Sequence, residues 1–260
     1  VVLGRFVTRH SEGNPFFVAE YLRAAVEAGA LKRGADGAWG LSDTGPKDSR
    51  QEFMPVPGSL RELVERRLAD LPDAARAVAR SSAVLGREAD LDVLDRVARL
   101  GDAVLMEAVN ELVRRQVLDE VAPGLLRFAH DKLREMAYES IAPRERALLH
   151  RRAAKALARA AGHDRARLAA TLGDHWERGG KAGEARRCYL AGARGERDRY
   201  ALGEAARLYR AYLSLAAVPT AETVAAREEL AGDVLLPQGR AAEATAELRV
   251  ALEEAVALGG

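Results

Sequence analysis

The chain has very little cysteine, few aromatic residues and no long hydrophobic run. Its only cysteine, Cys188, excludes an internal disulfide and a multi-cysteine zinc site, which predicts a reducing, cytoplasmic compartment. No stretch approaches about eighteen consecutive apolar residues and no signal peptide opens the chain, so we expect no membrane association. Aromatic residues make up 5% of the chain, whereas Ala, Leu, Arg and Glu are plentiful, which favours helix over sheet.

The chain also lacks an excess of charge of either sign. Forty basic residues stand against 39 acidic ones, a formal net charge of +1, so the clustered positive charge of a dedicated nucleic-acid binder is missing. The 48% hydrophobic content of the 260 residues can bury a core, which excludes whole-chain disorder. Because the sequence opens abruptly on the apolar run 1–3 rather than on Met, we interpret it as part of a longer protein.

A nucleotide-hydrolysing P-loop is missing as well. That loop requires Gly-x-x-x-x-Gly-Lys-Ser/Thr, whose amides and lysine hold the phosphates. Gly180-Lys181 comes nearest, but His175 and Ala182 stand where the motif needs Gly and Ser/Thr. We therefore expect no catalytic residue, and no ATP hydrolysis by this chain alone.

The first predicted unit spans 1–49 and begins with the corner Gly13-Asn14-Pro15. Pro15 fixes its own φ and keeps Asn14 out of the helical region, so the chain turns and then begins a helix over 16–28 that Gly29 ends. Such a corner can press against a flat ligand, or it can simply start a helix. Two short strands, 30–32 and 38–41, predict a small hairpin, and 50–58 is interpreted as a linker.

The second predicted unit, 59–162, has the element order of a winged-helix domain. Helices are expected from Ser59 with its capping-box partner Glu62, from 73 to 85, from Asp90 and from Asp102. The last of these carries an apolar stripe, Leu105, Ala108, Val109 and Leu112. Pro123-Gly124 between 117–121 and 125–128 then indicates a β-hairpin.

His130 follows the second strand of that hairpin and opens a helix over 130–141. Unpaired amides and the helix dipole favour an anion at such a position, and an imidazole can add one more N–H donor to a phosphate. The alternative is that His130 only caps its helix. The next helix, 143–161, carries His150 in a basic stretch with Arg144, Arg146, Arg151 and Arg152, which is typical of a solvent-exposed face.

Two further sites are not expected. His10, His163 and His175 have no partner at metal-ligand spacing. The helix 102–115, which a winged helix would use to contact DNA, begins with acidic Asp102 and Glu107 and has its arginines at the far end. Nucleic-acid binding through this region is therefore not expected.

The third predicted unit, 163–260, is helical throughout. Helices are expected near 165–178, 181–195, 201–216, 221–236 and 239–257, and Glu-Ala dipeptides recur early in three of them, at 184, 204 and 243. The segment 230–244 fits the second half of a tetratricopeptide pattern. The predicted fold class is mainly α: a small helical segment, a winged-helix domain with a β-hairpin, then tetratricopeptide-like α-helical repeats that offer a surface to a protein partner or small-molecule inducer.

Three motifs resemble the STAND class of AAA-related signal-transduction ATPases, in its bacterial branch linked to kinase, cyclase or LuxR-type domains. The run 8–22, with Glu12-Gly13-Asn14-Pro15-Phe16-Phe17, resembles the Gly-x-Pro motif of the helical domain. The segments 71–76 and 83–87 resemble the start of the winged helix. The run 127–140, which contains His130, resembles its histidine-bearing helix, and a 146–150 stretch typical of the family follows.

The resemblance implies a regulatory role and a nucleotide. Pro15, with Gly13 and Asn14, would lie on the adenine side, and His130 would reach the β-phosphate of ADP. ATP or ADP with Mg²⁺ would be bound only with an upstream ATPase core, which this chain would contact, and the winged helix would hold the closed state. A plain tetratricopeptide-type interaction scaffold and a winged-helix DNA-binding regulator are the alternatives.

Overall fold

A computed structural model of the chain describes residues 15–27, 29, 31–34, 39–41, 60–162 and 167–259. Its elements, in chain order, are α1 Pro15–Glu27, β1 Leu31–Arg33, β2 Trp39–Leu41, α2 Leu60–Ala69, α3 Asp73–Leu85, β3 Glu88–Asp90, α4 Leu91–Ala98, α5 Asp102–Arg114, β4 Leu118–Ala122, β5 Leu125–Phe128, α6 Asp131–Glu139, α7 Pro143–Ala160, α8 Ala169–Arg178, α9 Ala182–Asp198, α10 Leu202–Ser214, α11 Ala221–Glu229, a π-helical segment Leu230–Leu235, and α12 Ala241–Ala257. The described residues are therefore mainly helical, with small antiparallel sheets, as the composition predicts.

The first helix and the hairpin after it are confirmed. Tyr21 and Ala25 of α1 are buried one helical turn apart, and Gly29 ends the helix region at φ +68°. Strands β1 and β2 pair antiparallel, with Leu31 opposite Leu41. The predicted linker 50–58 and the predicted cap Ser59 lie outside the described residues.

Helical periodicity predicts the buried faces of α4 and α5. The carboxylate of Asp90 accepts the backbone N–H groups of Asp92 and Val93, which makes it the N-cap of α4. The predicted apolar stripe of α5 is buried at all four positions: Leu105, Ala108, Val109 and Leu112. Asp102 is the first residue of that helix.

The second hairpin lies where Pro123-Gly124 predicts it. Strands β4 and β5 pair antiparallel, from Leu118 opposite Phe128 to a bulge between Glu120 and Ala122. Gly124 adopts φ +73°, which an L side chain rarely tolerates. The hairpin leads directly to α6, which begins after His130.

The five helices predicted in 163–260 are confirmed as α8 to α12, with one difference. The helix predicted over 221–236 changes pitch after Glu229, and the N–H of Leu236 donates to the carbonyl of Ala231, five residues back. The π-helical segment is surrounded by core, since Leu230 and Leu235 are fully buried. The hydrophobic periodicity of 221–236 does not predict this π-helical pitch, which we attribute to the packing around the segment.

By backbone contacts the chain divides into two compact units. Unit 1 takes Val1–Ala83 with Asp102–Ser140, and unit 2 takes Val84–Gly101 with Ile141–Gly260. The domain boundaries drawn from sequence, at 49, 58 and 162, stay a prediction. Among the helices in the described part of the chain, none is both long enough and apolar enough to span a bilayer.

Candidate functional site

The corner that opens the candidate site is only partly described. Gly13 and Asn14 lie outside the described residues, whereas Pro15 is the first residue of α1 and is exposed. Its position agrees with the preference of proline for the start of a helix, where no N–H is needed. A contact between Pro15 and an adenine stays a prediction.

His130 is the N-cap of α6. Its backbone is extended, with φ −150° and ψ 142°, and its Nδ1 accepts the backbone N–H of Lys132 at 3.1 Å. The carbonyl of His130 accepts the N–H of Leu133 at 3.0 Å, which starts the helix. Because β5 ends at Phe128 and α6 begins at Asp131, the hairpin fixes where this imidazole stands.

The cap determines which nitrogen of His130 can donate. A ring nitrogen that accepts a hydrogen bond carries a lone pair, so a neutral His130 bears its proton on Nε2. Nε2–H is the donor that an anionic oxygen would require. The half-buried ring stands beside a mixed set of charges, since Asp131 opens the helix and Lys132 pairs with Glu135 at 2.8 Å.

The two candidate elements share a neighbour in unit 1. Helix α1, which begins at Pro15, packs against α2, and α6, which His130 caps, packs against the same helix. A side chain of α1 also reaches the end of α5, where Arg23 donates to the side chain of Gln116. A joint nucleotide site formed by Pro15 and His130 stays a prediction.

The arginines at the end of α5 are held by a carboxylate. Arg114 and Arg115 both donate to Glu111, and the Arg114–Glu111 distance is 2.6 Å. Hydrogen bonds from Arg114 and then Arg115 hold the pKa of the Glu111 carboxyl below its ordinary value, so the carboxylate stays ionised. The single negative charge of Glu111 therefore offsets part of the positive charge that Arg114 and Arg115 could offer to DNA.

The interpretation of His150 as part of a solvent-exposed face is wrong. His150 on α7 is 2% exposed and His175 on α8 is 6% exposed, and their Nδ1 atoms lie 2.9 Å apart. Their ring centroids are 5.1 Å apart with the rings tilted by 47°. The helix turns His150 inward to the contact with α8 while Arg144 of the same helix remains exposed. We call His150 and His175 the histidine pair.

Burial keeps the histidine pair neutral. Desolvation, then the neighbouring His175, Arg178 and Arg146, lowers the pKa of His150 to about 3. Desolvation and then Arg178 lower the pKa of His175 to about 4, against a smaller opposing effect of Asp174. With two neutral rings, one Nδ1–H donates and the other Nδ1 accepts.

A polar network joins α9, α10 and α11 around Glu229. The carboxylate of Glu229 accepts two hydrogen bonds from Arg194, at 2.8 and 2.9 Å, and one from the hydroxyl of Tyr209 at 2.6 Å. Arg197 adds a longer contact to Glu229 at 3.3 Å and one to Asp233 at 3.2 Å. Nothing in the sequence pattern points to this network, because its members lie on three different helices.

The residues that could hold a metal or act as a nucleophile do not form a centre. In the described ranges, no group of three His, Cys, Asp or Glu side chains is arranged for a metal ion. Cys188 on α9 is half-buried, and burial, followed by the charge of Glu184, raises the pKa of its thiol above the ordinary value. The thiol is thus held in the form that is the weaker nucleophile.

Comparison of the chain with family models, with curated proteins and with solved structures gives no match.

Proposed function

We propose that the chain is the regulatory and sensor portion of a nucleotide-dependent signal-transduction ATPase of the STAND type. In this proposal a separate P-loop core binds ATP or ADP with Mg²⁺ in the cytoplasm, and His130 senses the bound nucleotide. A protein partner or small-molecule inducer on the helices after residue 163 then biases the equilibrium between a closed, ADP-bound form and an open form.

The element order supports this proposal. Between α3 and β5 the chain runs helix, strand, helix, helix, strand, strand, which is the order of a winged helix. From α7 to α12 each helix packs against the next one in the chain, as neighbouring helices do in a tetratricopeptide array. Both the element order and the sequential helix packing agree with what the resemblance predicts for a regulatory half.

The position of His130 is the observation that carries the proposal. The imidazole follows a β-hairpin and caps a nine-residue helix through Nδ1, so that a neutral ring would carry its proton on Nε2. Its donor thus stands at the positive end of a helix dipole, where a β-phosphate oxygen would be stabilised. A cap formed by Ser or Asn would satisfy the helix, but its side chain is shorter than an imidazole and its own donor would not reach the position of Nε2.

Substitution of His130 tests the proposal in the protein that joins this chain to its nucleotide-binding core. A hydrogen bond to a charged group contributes about 1.5–3 kcal/mol, so His130→Ala and His130→Asn are both expected to speed release of a fluorescent ADP analogue by at least about tenfold. Stopped-flow displacement by excess ADP measures this rate.

The asparagine variant separates nucleotide sensing from capping. Asn is a good N-cap, so His130→Asn is expected to keep the stability of α6, while His130→Ala loses about 1 kcal/mol of unfolding free energy. If both variants release ADP at the wild-type rate, His130 is a helix cap and the proposal fails.

A plain interaction scaffold is favoured by the outer face of α12. Leu248, Leu252 and Val256 recur at helical spacing and are 43%, 66% and 64% exposed. Removal of residues 163–260 distinguishes the two functions. If the chain is a switch, the shortened chain joined to its nucleotide-binding core would still respond to ADP. If the chain is a scaffold, the shortened chain would no longer bind its partner.

A DNA-binding regulator is opposed by the charges of α5. Asp102 and Glu107 are exposed near its start, and Arg114 and Arg115 pair with Glu111. We expect no shift of duplex DNA by the full chain at low salt, where phosphate contacts are strongest. A shift that weakens steeply with added salt would instead support the DNA-binding function.

A further inference from the structure

The histidine pair occupies the contact between α7 and α8, both of which belong to unit 2. The residues on either side of it are apolar: Leu149 and Ala153 on α7, and Leu172 on α8, are buried. A second polar link lies further along, where the Arg151 guanidinium donates to the carbonyl of Gly179 at 2.8 Å. The pair therefore places two imidazoles among apolar side chains of this helix contact.

The buried contact is more stable when both rings are neutral than when both are protonated. At an Nδ1–Nδ1 distance of 2.9 Å one nitrogen must be a donor and the other an acceptor. If both rings were protonated, two N–H groups would face each other in a buried contact. Because exposure is only 2% and 6%, solvent does not stabilise the added charge.

The charged groups around the pair reinforce this effect. Arg146 on α7 and Arg178 on α8 repel a proton on either ring, and Asp174 on α8 is the carboxylate that attracts one. Asp174 is itself engaged, since it accepts the hydroxyl of Tyr189 from α9 at 2.7 Å. That hydroxyl also lies 2.6 Å from Glu177.

On the other side of α7, the packing neighbour is α4. There the guanidinium of Arg152 donates to the carbonyl of Val97 at 3.3 Å, and Arg99 adds a second positive charge. The carboxylate that acts on the pair is thus Asp174 of α8, and its single negative charge does not balance the two positive charges of a doubly protonated pair.

We propose that the histidine pair makes the contact between α7 and α8 sensitive to acid. At low pH both imidazoles take up protons from solvent, and α7 separates from α8. In the open state each ring is a solvated histidine with a pKa near 6.5, whereas in the closed state the pKa values are about 3 and about 4. The closed contact is therefore fully stable above about pH 6.5 and loses stability as the pH falls from there towards about 3, the lower of the two closed-state values.

Hydrogen–deuterium exchange of the whole chain measures the opening. Between pH 7.5 and pH 5.0 each ring contributes a factor of about thirty, so the opening constant of α7 and α8 is expected to rise by up to about a thousandfold. The rates are corrected for the intrinsic pH dependence of exchange. Amides of α10 and α11 serve as the internal reference, because no imidazole of the pair lies on either helix.

Substitutions test whether the pH dependence of exchange in α7 and α8 comes from the histidine pair. A double variant with His150→Asn and His175→Asn is expected to exchange at pH 5.0 as it does at pH 7.5, since amides do not titrate. If that variant does not fold, His150→Gln leaves one imidazole and is expected to show the thirtyfold factor alone. His130→Asn, which removes a half-buried histidine in unit 1, is expected to keep the full response.

Direct titration of the wild-type rings provides the decisive measurement. Nitrogen-detected NMR of His150 and His175 in the folded chain is expected to show neutral imidazoles at pH 6. Titration of both rings near pH 6.5, or protection of α7 and α8 that is equal at both pH values, would overturn the proposal.

Discussion

Gly173→Ala is expected to lower the free energy of unfolding by about 3 kcal/mol, because the added methyl group has no space. A Cβ at Gly173 on α8 would lie 2.4 Å from the ring of Tyr189 on α9. Tyr189 is 1% exposed, and its hydroxyl lies within hydrogen-bond distance of both Asp174 and Glu177, so the ring has little freedom to move aside. Urea unfolding followed by circular dichroism measures the loss.

A glycine in the middle of the neighbouring helix provides the matched control. Around Gly195 on α9 the nearest atom to an added Cβ is the flexible guanidinium of Arg199, at 3.8 Å. Gly195→Ala is therefore expected to raise the unfolding free energy by about 1 kcal/mol through helix propensity. Equal effects of the two substitutions would show that propensity, and not the Tyr189 contact, governs Gly173.

A second substitution tests the contact itself. Tyr189→Leu opens space at the ring, so Gly173→Ala is expected to cost much less in the Tyr189→Leu background than in the wild type. The coupling energy of this double-mutant cycle is expected to exceed about 1 kcal/mol, as for residues in direct contact. Additive effects would mean that α8 and α9 do not approach as closely as the structure shows.

Local sequence signals predict the helices and hairpins well. Asp90 before an apolar run, Gly124 between two β-rich runs and the stripe from Leu105 to Leu112 each act within a few residues. Such signals need no knowledge of the rest of the fold, since capping and turn geometry are set by neighbouring residues. The position of His130 after a strand likewise predicts that it lies at the start of a helix.

The contacts between helices were not predicted, because they depend on the packing register. His150 and His175 are 25 residues apart, and the basic stretch around His150 indicates an exposed face, while nothing local pairs it with His175. The pitch of the segment after Glu229 was missed for the same reason. One local signal could indicate the burial of His150. Ala153 and Ala154 follow it by three and four residues, so these small apolar residues share its face of the helix, and both are buried.

In the candidate nucleotide site, too, the local feature can be predicted from the sequence and the contact between distant residues cannot. The cap by His130 is a local feature, and its hydrogen bond to the N–H of Lys132 implies the tautomer of a neutral ring. A site that combines His130 with Pro15 requires two helices to be brought together around a ligand, and no rule of local structure supplies that relation. The resemblance to STAND ATPases is the basis for joining them, and the ADP-release experiment tests it.

Glu229→Ala is expected to be the second most damaging substitution, with a loss of about 3 kcal/mol in unfolding free energy. The substitution removes the acceptor shared by Arg194 and Tyr209, which leaves a guanidinium and a fully buried phenol without their partner. Burial opposes ionisation of Glu229, but the hydrogen bonds from Arg194 and Tyr209 outweigh it and hold its pKa below the ordinary value. The network therefore requires the carboxylate form.

The neighbouring Glu228 is the matched control, since it is an exposed glutamate on the same turn of α11. Glu228→Ala is expected to change the unfolding free energy by less than about 0.5 kcal/mol. Equal losses for the two alanine variants would assign the effect to helix α11 in general rather than to the network.

The pH dependence of Glu229→Gln distinguishes charge from hydrogen bonding. A group with a lowered pKa in the folded state stabilises the protein above its unfolded pKa, near 4.3, and loses that contribution as the pH falls through its folded value. Glutamine keeps an oxygen for Tyr209 but carries no charge for Arg194, so this variant is expected to be intermediate in stability at pH 7. Its deficit relative to wild type should shrink as the pH falls below the unfolded pKa and through the lowered folded pKa, because protonation then removes the charge from the wild-type carboxylate as well. A deficit that stays constant down to pH 3 would mean that geometry alone, without the ion pair, makes Glu229 the centre of the three-helix contact.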